Sequence, residues 1–397
     1  MSWEKVTFHN LYEIESKNGI YKSSEYHGRG TKIINMGELF AYGFIGKQDM
    51  RRIEVTTKEL INFGVQKGDL LFARRSLVES GAGKSSIVWE IEEPMVFESS
   101  LIRVRLNKTL CYPLFYYYWF QSYDGKSEIS SLINGVNVKG IKSTALKDIK
   151  VVLPTLQVQM EIAHKLYVYD ELIENNKNQI KLLEEAAQRL YKEWFVDLHF
   201  PGYEDVEIVD GVPKGWKQLV LSEIANVVMG QSPKSEFYNN EKKGLPFHQG
   251  VTSYGNRFVN DTVYTTSFTR IAEPGSILFS VRAPVGRLNI TKNKIVIGRG
   301  LSAMNHKKGY QSYLFYLLKE RFFKDNLVGN GSIFDSITKS ELLSQKFLVP
   351  NEEILIRFND ITKNIDAKIA VIDAEINCLV EARDRLLPKL MSGEIEV

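Results

Sequence analysis

One internal repeat constrains this chain more than any other feature of it. The stretch NGVNVKGIKSTALKDIKVVLP, beginning at Asn134, meets NGSIFDSITKSELLSQKFLVP, beginning at Asn330, at an offset of 196 residues. At that offset Asn134/Asn330, Gly135/Gly331, Ile141/Ile337, Leu146/Leu342, Lys150/Lys346 and Pro154/Pro350 coincide. Further on, Asp170/Asp366, Ile173/Ile369, Ile180/Ile376, Leu183/Leu379, Glu185/Glu381, Ala186/Ala382, Arg189/Arg385 and Leu190/Leu386 coincide as well. Upstream the likeness is looser. GDLLFARR from Gly68 resembles GSILFSVR from Gly275 at an offset of 207, and Trp3 and Trp216 lie near the two starts. Loops of different length account for the changing offset. Each half is therefore a variable module followed by a more uniform segment.

The uniform segments carry a heptad. From Ile162 the series is Ile162, Leu166, Tyr169, Ile173, Asn176, Ile180, Leu183, Ala187, Leu190 and Trp194. The steps alternate between four and three residues, the period of a coiled-coil seam rather than of a broad globular face. The second copy reads Phe358, Thr362, Ile365, Ile369, Ile372, Ile376, Leu379, Arg383, Leu386 and Leu390, with Thr362 and Arg383 as polar intruders. Asn176, the polar member of the first seam, costs stability but can fix register. A helix over Leu156–Phe195 spans about 60 Å at 1.5 Å per residue, and alone it would expose an apolar stripe. Packing the two copies together removes the stripe, and because the chain must return, an antiparallel coiled coil is expected. The domain plan is then module one at 1–153, a helix at 154–199, module two at 200–349 and a helix at 350–397. The acidic, Pro- and Gly-containing segment His199–Trp216 is the connector into module two.

Within the modules, β-rich runs at Asp69–Arg74, Ser86–Ile91, Leu101–Leu106, Ser276–Val281 and Lys294–Ile297 alternate with aromatic-rich helical segments at Tyr112–Ser122 and Tyr310–Phe323. That predicts an α+β class. The aromatic run Tyr116–Phe120, at helical spacing, reads as core rather than as a base-stacking platform. Trp194 reads as core or as an interface.

Composition excludes several function classes. The two cysteines, Cys111 and Cys378, are too few and too far apart for a disulfide framework or a cysteine zinc site, which fits a reducing cytoplasm. No apolar run approaches the roughly 18 residues of a membrane span. GAGKS at Gly81–Ser85 lacks the phosphate-loop glycine, since Val78 holds that position. No Pro-Pro pair exists, so the (Asp/Asn)-Pro-Pro-aromatic tetrapeptide of an amino-methyltransferase is missing. Six scattered histidines lack metal-ligand spacing, and Glu241-Lys242-Lys243 reads as a loop rather than a nuclease fragment. Net charge is only +3, but it is unevenly spread: +4 over 1–153, −3 over 154–200, +6 over 201–349 and −4 over 350–397. Two basic modules joined by acidic connectors suit two anion-binding domains.

Two basic variable modules, two repeated heptad helices and no catalytic motif together resemble the specificity (S) subunit of type I restriction–modification systems. The resemblance runs over the whole chain. It is most specific at KDIKVVLPTLQVQMEI (Lys147–Ile162), SQKFLVPNEEILIRF (Ser344–Phe358), EEAAQRLYKEWF (Glu184–Phe195) and VEARDRLLPKLMSGEI (Val380–Ile395). One departure is Gln157-Val158-Gln159 at the first junction, where the family usually carries Glu-Gln, and the second junction has Asn351-Glu352-Glu353. The resemblance implies two pseudo-symmetric target recognition domains, each reading one half of a bipartite, asymmetric sequence in double-stranded DNA. It implies an antiparallel coil that sets the half-site spacing and docks two methylation subunits. Such a chain has no active site or cofactor of its own. S-adenosylmethionine would belong to the methylation subunits, and ATP and Mg to the restriction subunits. A single-chain DNA-binding regulator without enzymatic partners is the alternative.

Candidate DNA contacts follow from side-chain chemistry, since Arg reads guanine, Asn and Gln read adenine, and Lys grips phosphate. In module one they are Arg51, Arg52, Arg74, Arg75 and Lys84, with Lys139 and Lys142 on phosphates. In module two the loop HQGVTSYGNR supplies His248, Gln249, Tyr254, Asn256 and Arg257, joined by Arg282, Arg287, Arg299 and Lys307.

Overall fold

The computed structural model describes residues 3–77, 81–135, 139–322 and 336–396. Val78, Phe323 and the repeat pair Asn330-Gly331 lie outside the described residues. The chain divides into two compact units that differ from the sequence segments. One comprises residues 1–175 and 375–397, the other residues 176–374. Each unit therefore joins a module to half of each long helix.

Those helices span Leu156–Phe195 and Glu352–Met391. Each starts just after a proline, where a side-chain oxygen takes up an orphan amide of the first turn. Asn351 Oδ1 accepts from the Ile354 amide at 3.0 Å, and Thr155 Oγ1 from the Val158 amide at 3.4 Å. Gln159, in the segment that departs from the family pattern, is fully buried. It accepts from the Tyr112 amide and donates to the Pro154 carbonyl, both at 2.8 Å. That amide fastens the first long helix to the start of the aromatic helix.

Within each unit the two helices run antiparallel. In the first, Ile162 and Leu166 share a core with Leu390 and Met391. In the second, Tyr191 and Trp194 share one with Phe358, at ring separations of 5.9 and 5.8 Å. Ile162, Leu166, Ile173, Asn176, Ile180, Ile369 and Ile372 are buried, while Leu183, Leu190, Ile365, Ile376, Leu379 and Leu386 are half-buried. The polar seam members have partners. Thr362 donates to the Phe358 carbonyl at 2.9 Å, Asn176 accepts from Gln179 at 3.3 Å, and Arg383 pairs with Asp170.

The modules share the frame of their main sheet, which has five strands in the first and four in the second. In the first unit a sheet runs in the order Tyr12–Asn18, Leu101–Leu106, Leu70–Ala73, Ser85–Val88, Phe44–Ile45. In the second the order is Ala225–Met229, Leu301–His306, Ile277–Ser280, Leu288–Ile290. The registers also correspond: Tyr12 faces Leu106 as Ala225 faces His306, and Leu101 faces Ala73 as Leu301 faces Ser280. A strand at each module's start closes on the strand before the long helix, Lys5 on Val152 and Gln218 on Leu348. The runs expected at Asp69–Arg74, Ser86–Ile91, Ser276–Val281 and Lys294–Ile297 shorten or shift by one to three residues at their ends. Each module has a second sheet that the sequence reading lacked, built from His27–Ile34, Arg52–Ile53 and Met95–Phe97 in one, and around Leu245–His248 and Ile295–Ile297 in the other.

The aromatic helices, Pro113–Gln121 and Gln311–Phe322, lie between sheet and long helices. Residues Leu114–Phe120 are all buried, so the run is core, as the spacing predicts. Phe358 is fully buried among Tyr191, Trp194 and Phe195. Phe358→Ala should cost about 3–5 kcal/mol, read as a lower denaturant midpoint at unchanged slope. His306 offers a second check, because burial, then Lys308, pushes its imidazole down to about 4. A depressed histidine means that the unfolded chain binds the extra proton, so stability is lost as pH falls from about 6.5 toward 4. His306→Phe should flatten that limb of the pH–melting curve.

Candidate nucleic-acid interface

In the first unit, five of the candidate cations converge at one end of the main sheet. The strand Leu70–Ala73 runs on into Arg74 and Arg75, and Arg75-Ser76 pairs with Lys139-Gly140. The Ile141 amide donates to the Arg74 carbonyl at 2.9 Å, which places Lys142 beside it. The Ala73 amide donates to the Lys84 carbonyl at 2.8 Å. Arg74, Arg75, Lys84, Lys139 and Lys142 thus share one edge although the chain between them is long. GAGKS proves to be the turn that closes this edge. Gly83 has φ +74°, and a Cβ there would sit 2.3 Å from Ile129, so the glycine serves geometry rather than phosphate binding.

The cations are not equally available. Arg75, Lys84 and Lys142 are exposed, whereas Arg74 and Lys139 are half-buried. Lys84 donates to the Phe40 carbonyl at 2.8 Å. Arg51 and Arg52 sit on the other sheet of the module. Arg52 grips Glu93 bidentately at 2.8 and 2.7 Å, and with Lys32 it holds that carboxyl down to about 2. Much of its charge is already answered.

The second unit builds the same edge. Arg282 bridges Ser336 as Arg75 bridges Gly140, and the Ile337 amide donates to the Val281 carbonyl at 3.0 Å, as Ile141 does to Arg74. Val281 therefore stands where the first module has Arg74. Arg287 lies beside Ser280 at the same end, and the Ser280 amide donates to its carbonyl at 3.0 Å. The turn before the strand Leu301–His306 brings in Arg299, whose amide donates to Ser232, which in turn donates to Gln249 at 2.7 Å. Gln249, Arg282, Arg287 and Arg299 are all exposed there.

Four residues of the sequence reading depart from it. His248 is buried, with Nδ1 2.6 Å from Ser253 and Nε2 2.8 Å from Asp261, so it braces its own loop. Tyr254 packs against the second sheet's core, and burial pushes its phenol well above the ordinary value. Arg257 is 1% exposed and ion-paired to Glu184 and Asp366. A side chain so enclosed cannot reach a groove. Lys307 lies beyond the far end of the strand Leu301–His306 and donates to the Ser222 carbonyl at 2.6 Å, away from the basic edge. Asn256 stays exposed.

Sequence reasoning missed Gln231, Phe268 and Arg270. The Gln231 amide donates to the Ile297 carbonyl, the Ile297 amide to the Arg270 carbonyl, both at 2.9 Å, and Thr269 donates to the Gln231 carbonyl. This places the exposed Arg270 and Phe268 beside Gln249 and Arg299. An amide, an arginine and an aromatic brought together by backbone pairing leave no motif in the sequence.

Each module also presents a cleft toward the long helices of its own unit. The first, about 800 Å³, is lined by Lys84, Tyr118, Tyr123, Lys126, Asp170 and Arg383, among others. The second, about 700 Å³, is lined by Lys181, Glu184, Tyr254, Asn256, Arg287 and Lys319, among others. Among the described residues no cluster of His, Cys, Asp and Glu could hold a metal ion, and no helix is long and apolar enough to cross a membrane.

Comparison with known proteins matches this doubled architecture. The sequence model of the family described as type I restriction modification DNA specificity domain matches twice, over residues 1–185 and 213–380. The chain is 31% identical over 351 residues to the sequence named as the type I restriction enzyme MjaX specificity subunit of Methanocaldococcus jannaschii, covering 87% of this chain and 82% of that one. It is 29% identical over 301 residues to the MjaIX specificity subunit of the same organism, covering 71% and 68%. The crystal structure of the type I restriction–modification system S subunit from M. genitalium shares the fold, with a TM-score of 0.56 at 19% identity over 98% of this chain and 96% of that one. With two matches that together take in most of its length, the chain belongs to the type I restriction modification DNA specificity family.

Proposed function

We propose that this chain is the DNA-recognition subunit of a type I restriction–modification assembly and has no active site of its own. Each module reads one half of a bipartite target in double-stranded DNA. The paired long helices hold the two reading heads at a fixed spacing and dock two methylation subunits. Those subunits bring S-adenosylmethionine and methylate adenine at N6, and restriction subunits bring ATP and Mg. The chain works in the cytoplasm, where the DNA is.

One observation carries this reading: the same sheet end is basic in both modules, on the same backbone register, with different side chains. Arg75 and Arg282 occupy equivalent places, whereas Arg74 is matched by Val281. A shared scaffold with divergent tips suits two heads reading different sequences, so the target is asymmetric. Phosphate contacts would fix the register and the exposed arginines and amides would read base edges.

The test is long-read mapping of N6-methyladenine in the host with the gene intact and with an in-frame deletion. Loss of one bipartite, asymmetric motif supports the reading. An unchanged methylome contradicts it and favours the regulator. Single substitutions then sort the edge. Arg75→Ala or Arg282→Ala should cost about 1–3 kcal/mol and relax one position in one half-site. Lys142→Ala should weaken all sequences alike and lower the salt slope of DNA binding by about one.

A further inference from the structure

Asp170 and Asp366 hold the same place in the repeat. Each accepts from a tyrosine hydroxyl of its module's aromatic helix, Tyr118 at 2.6 Å and Tyr316 at 3.4 Å. Each is also paired with a guanidinium, and here the two copies diverge. Asp170 pairs with Arg383 of the second long helix. Asp366 pairs at 2.5 Å with Arg257, which ends the loop carrying Gln249 and Asn256.

Arg257 reaches both long helices, since its other terminal nitrogen lies 3.4 Å from Glu184. Its head sits 3.5 Å from the centroid of Phe315, over the ring face. A guanidinium this enclosed is tolerated only with charged and aromatic partners on its faces and edges, and arginine's planar fork can serve all three at once. Its backbone carbonyl accepts from the Ile290 amide at 2.9 Å, and Asn289 donates to the Gly255 carbonyl at 2.9 Å. At the loop's other end His248 is tied to Ser253 and Asp261. The His248 end of the loop is therefore anchored in the module alone, and the Arg257 end in the module by its backbone and in the helix pair by its side chain.

We infer that Arg257 is a positioning residue for DNA recognition: through Asp366 and Glu184 it fixes the 248–257 loop on the long helices, so that Gln249 and Asn256 present at one angle to the duplex. The inference rests on the recognition reading above. It makes fidelity at the second module's half-site depend on an ion pair inside the protein. The first module uses the equivalent aspartate to join helix to helix and is independent of it.

The experiment complements the deletion strain with Arg257→Lys, Asp366→Asn, their double variant and Asp170→Asn, and maps N6-methyladenine. Lysine keeps the charge but loses the fork that spans both carboxylates. Arg257→Lys and Asp366→Asn should each lower the ratio of cognate to single-mismatch methylation about tenfold, at several positions of one half-site, leaving the other half-site unchanged. The double variant should be no worse than either single one, because both remove the same link. Asp170→Asn should leave that half-site intact. Glu184→Gln, a milder change at a partly exposed partner, should show the same one-sided relaxation if the others accumulate poorly. Wild-type fidelity in the variants, or equal loss at both half-sites, overturns the inference. Relaxation of a single base by Arg257→Lys without a matching effect of Asp366→Asn also overturns it, since Arg257 would then read that base directly. If the wild-type chain yields no gene-dependent motif, the recognition reading fails first and this inference falls with it.

Discussion

The burial of the long helices' apolar seams holds this molecule together, and every other feature depends on it. Neither module closes its core alone. The first needs Ile162, Leu166, Leu390 and Met391, and the second needs Ala187, Tyr191, Trp194 and Phe358. A helix of forty residues with such a seam would be unstable in water by itself, since tertiary packing supplies most helical stability. Here each helix is covered by its partner and by an aromatic helix of the adjoining module. Helix and module are therefore one cooperative unit, and a change in the helices is felt at the sheet.

On that base the two halves keep the frame of the main sheet and vary the side chains at its end. The order of the first three strands of the main sheet, the register at their ends and the closing bridges at Arg75 and Arg282 correspond. What differs is the surface at the sheet end and the wiring behind it. Arg74 gives way to Val281, and the half-buried aspartate turns to a helix arginine in one unit and a loop arginine in the other. Under the recognition reading proposed above, such divergence on a shared frame lets two modules with separate targets use one fold.

Much of this was legible in the sequence, for physical reasons. The seam residues recur at a fixed local spacing, so the helices and their pairing follow from Ile162 to Leu390 without tertiary knowledge. Leu114–Phe120 is so apolar that its burial could be inferred directly. The second sheets were not legible, because strands such as Arg52–Ile53 and Ile271–Ala272 are two residues long and pair with distant partners. The loop from His248 to Arg257 misled for another reason. Histidine, tyrosine and arginine suit a DNA groove and an internal brace equally well. Only the partners decide, and Glu184 and Asp366 lie 73 and 109 residues away from Arg257 in sequence. Gln231, Phe268 and Arg270 were missed because only backbone pairing makes them neighbours of Gln249.

If the helix pair is the ruler between two reading heads, its length must show in the DNA. One heptad inserted at matching levels of both long helices adds about 10.5 Å at 1.5 Å per residue, or about three base pairs at 3.4 Å each. Mapping N6-methyladenine in a strain carrying that chain tests the account most directly. It predicts both half-site sequences unchanged and the spacer between them about three base pairs longer. An unaltered spacer, or altered half-site bases, would contradict it.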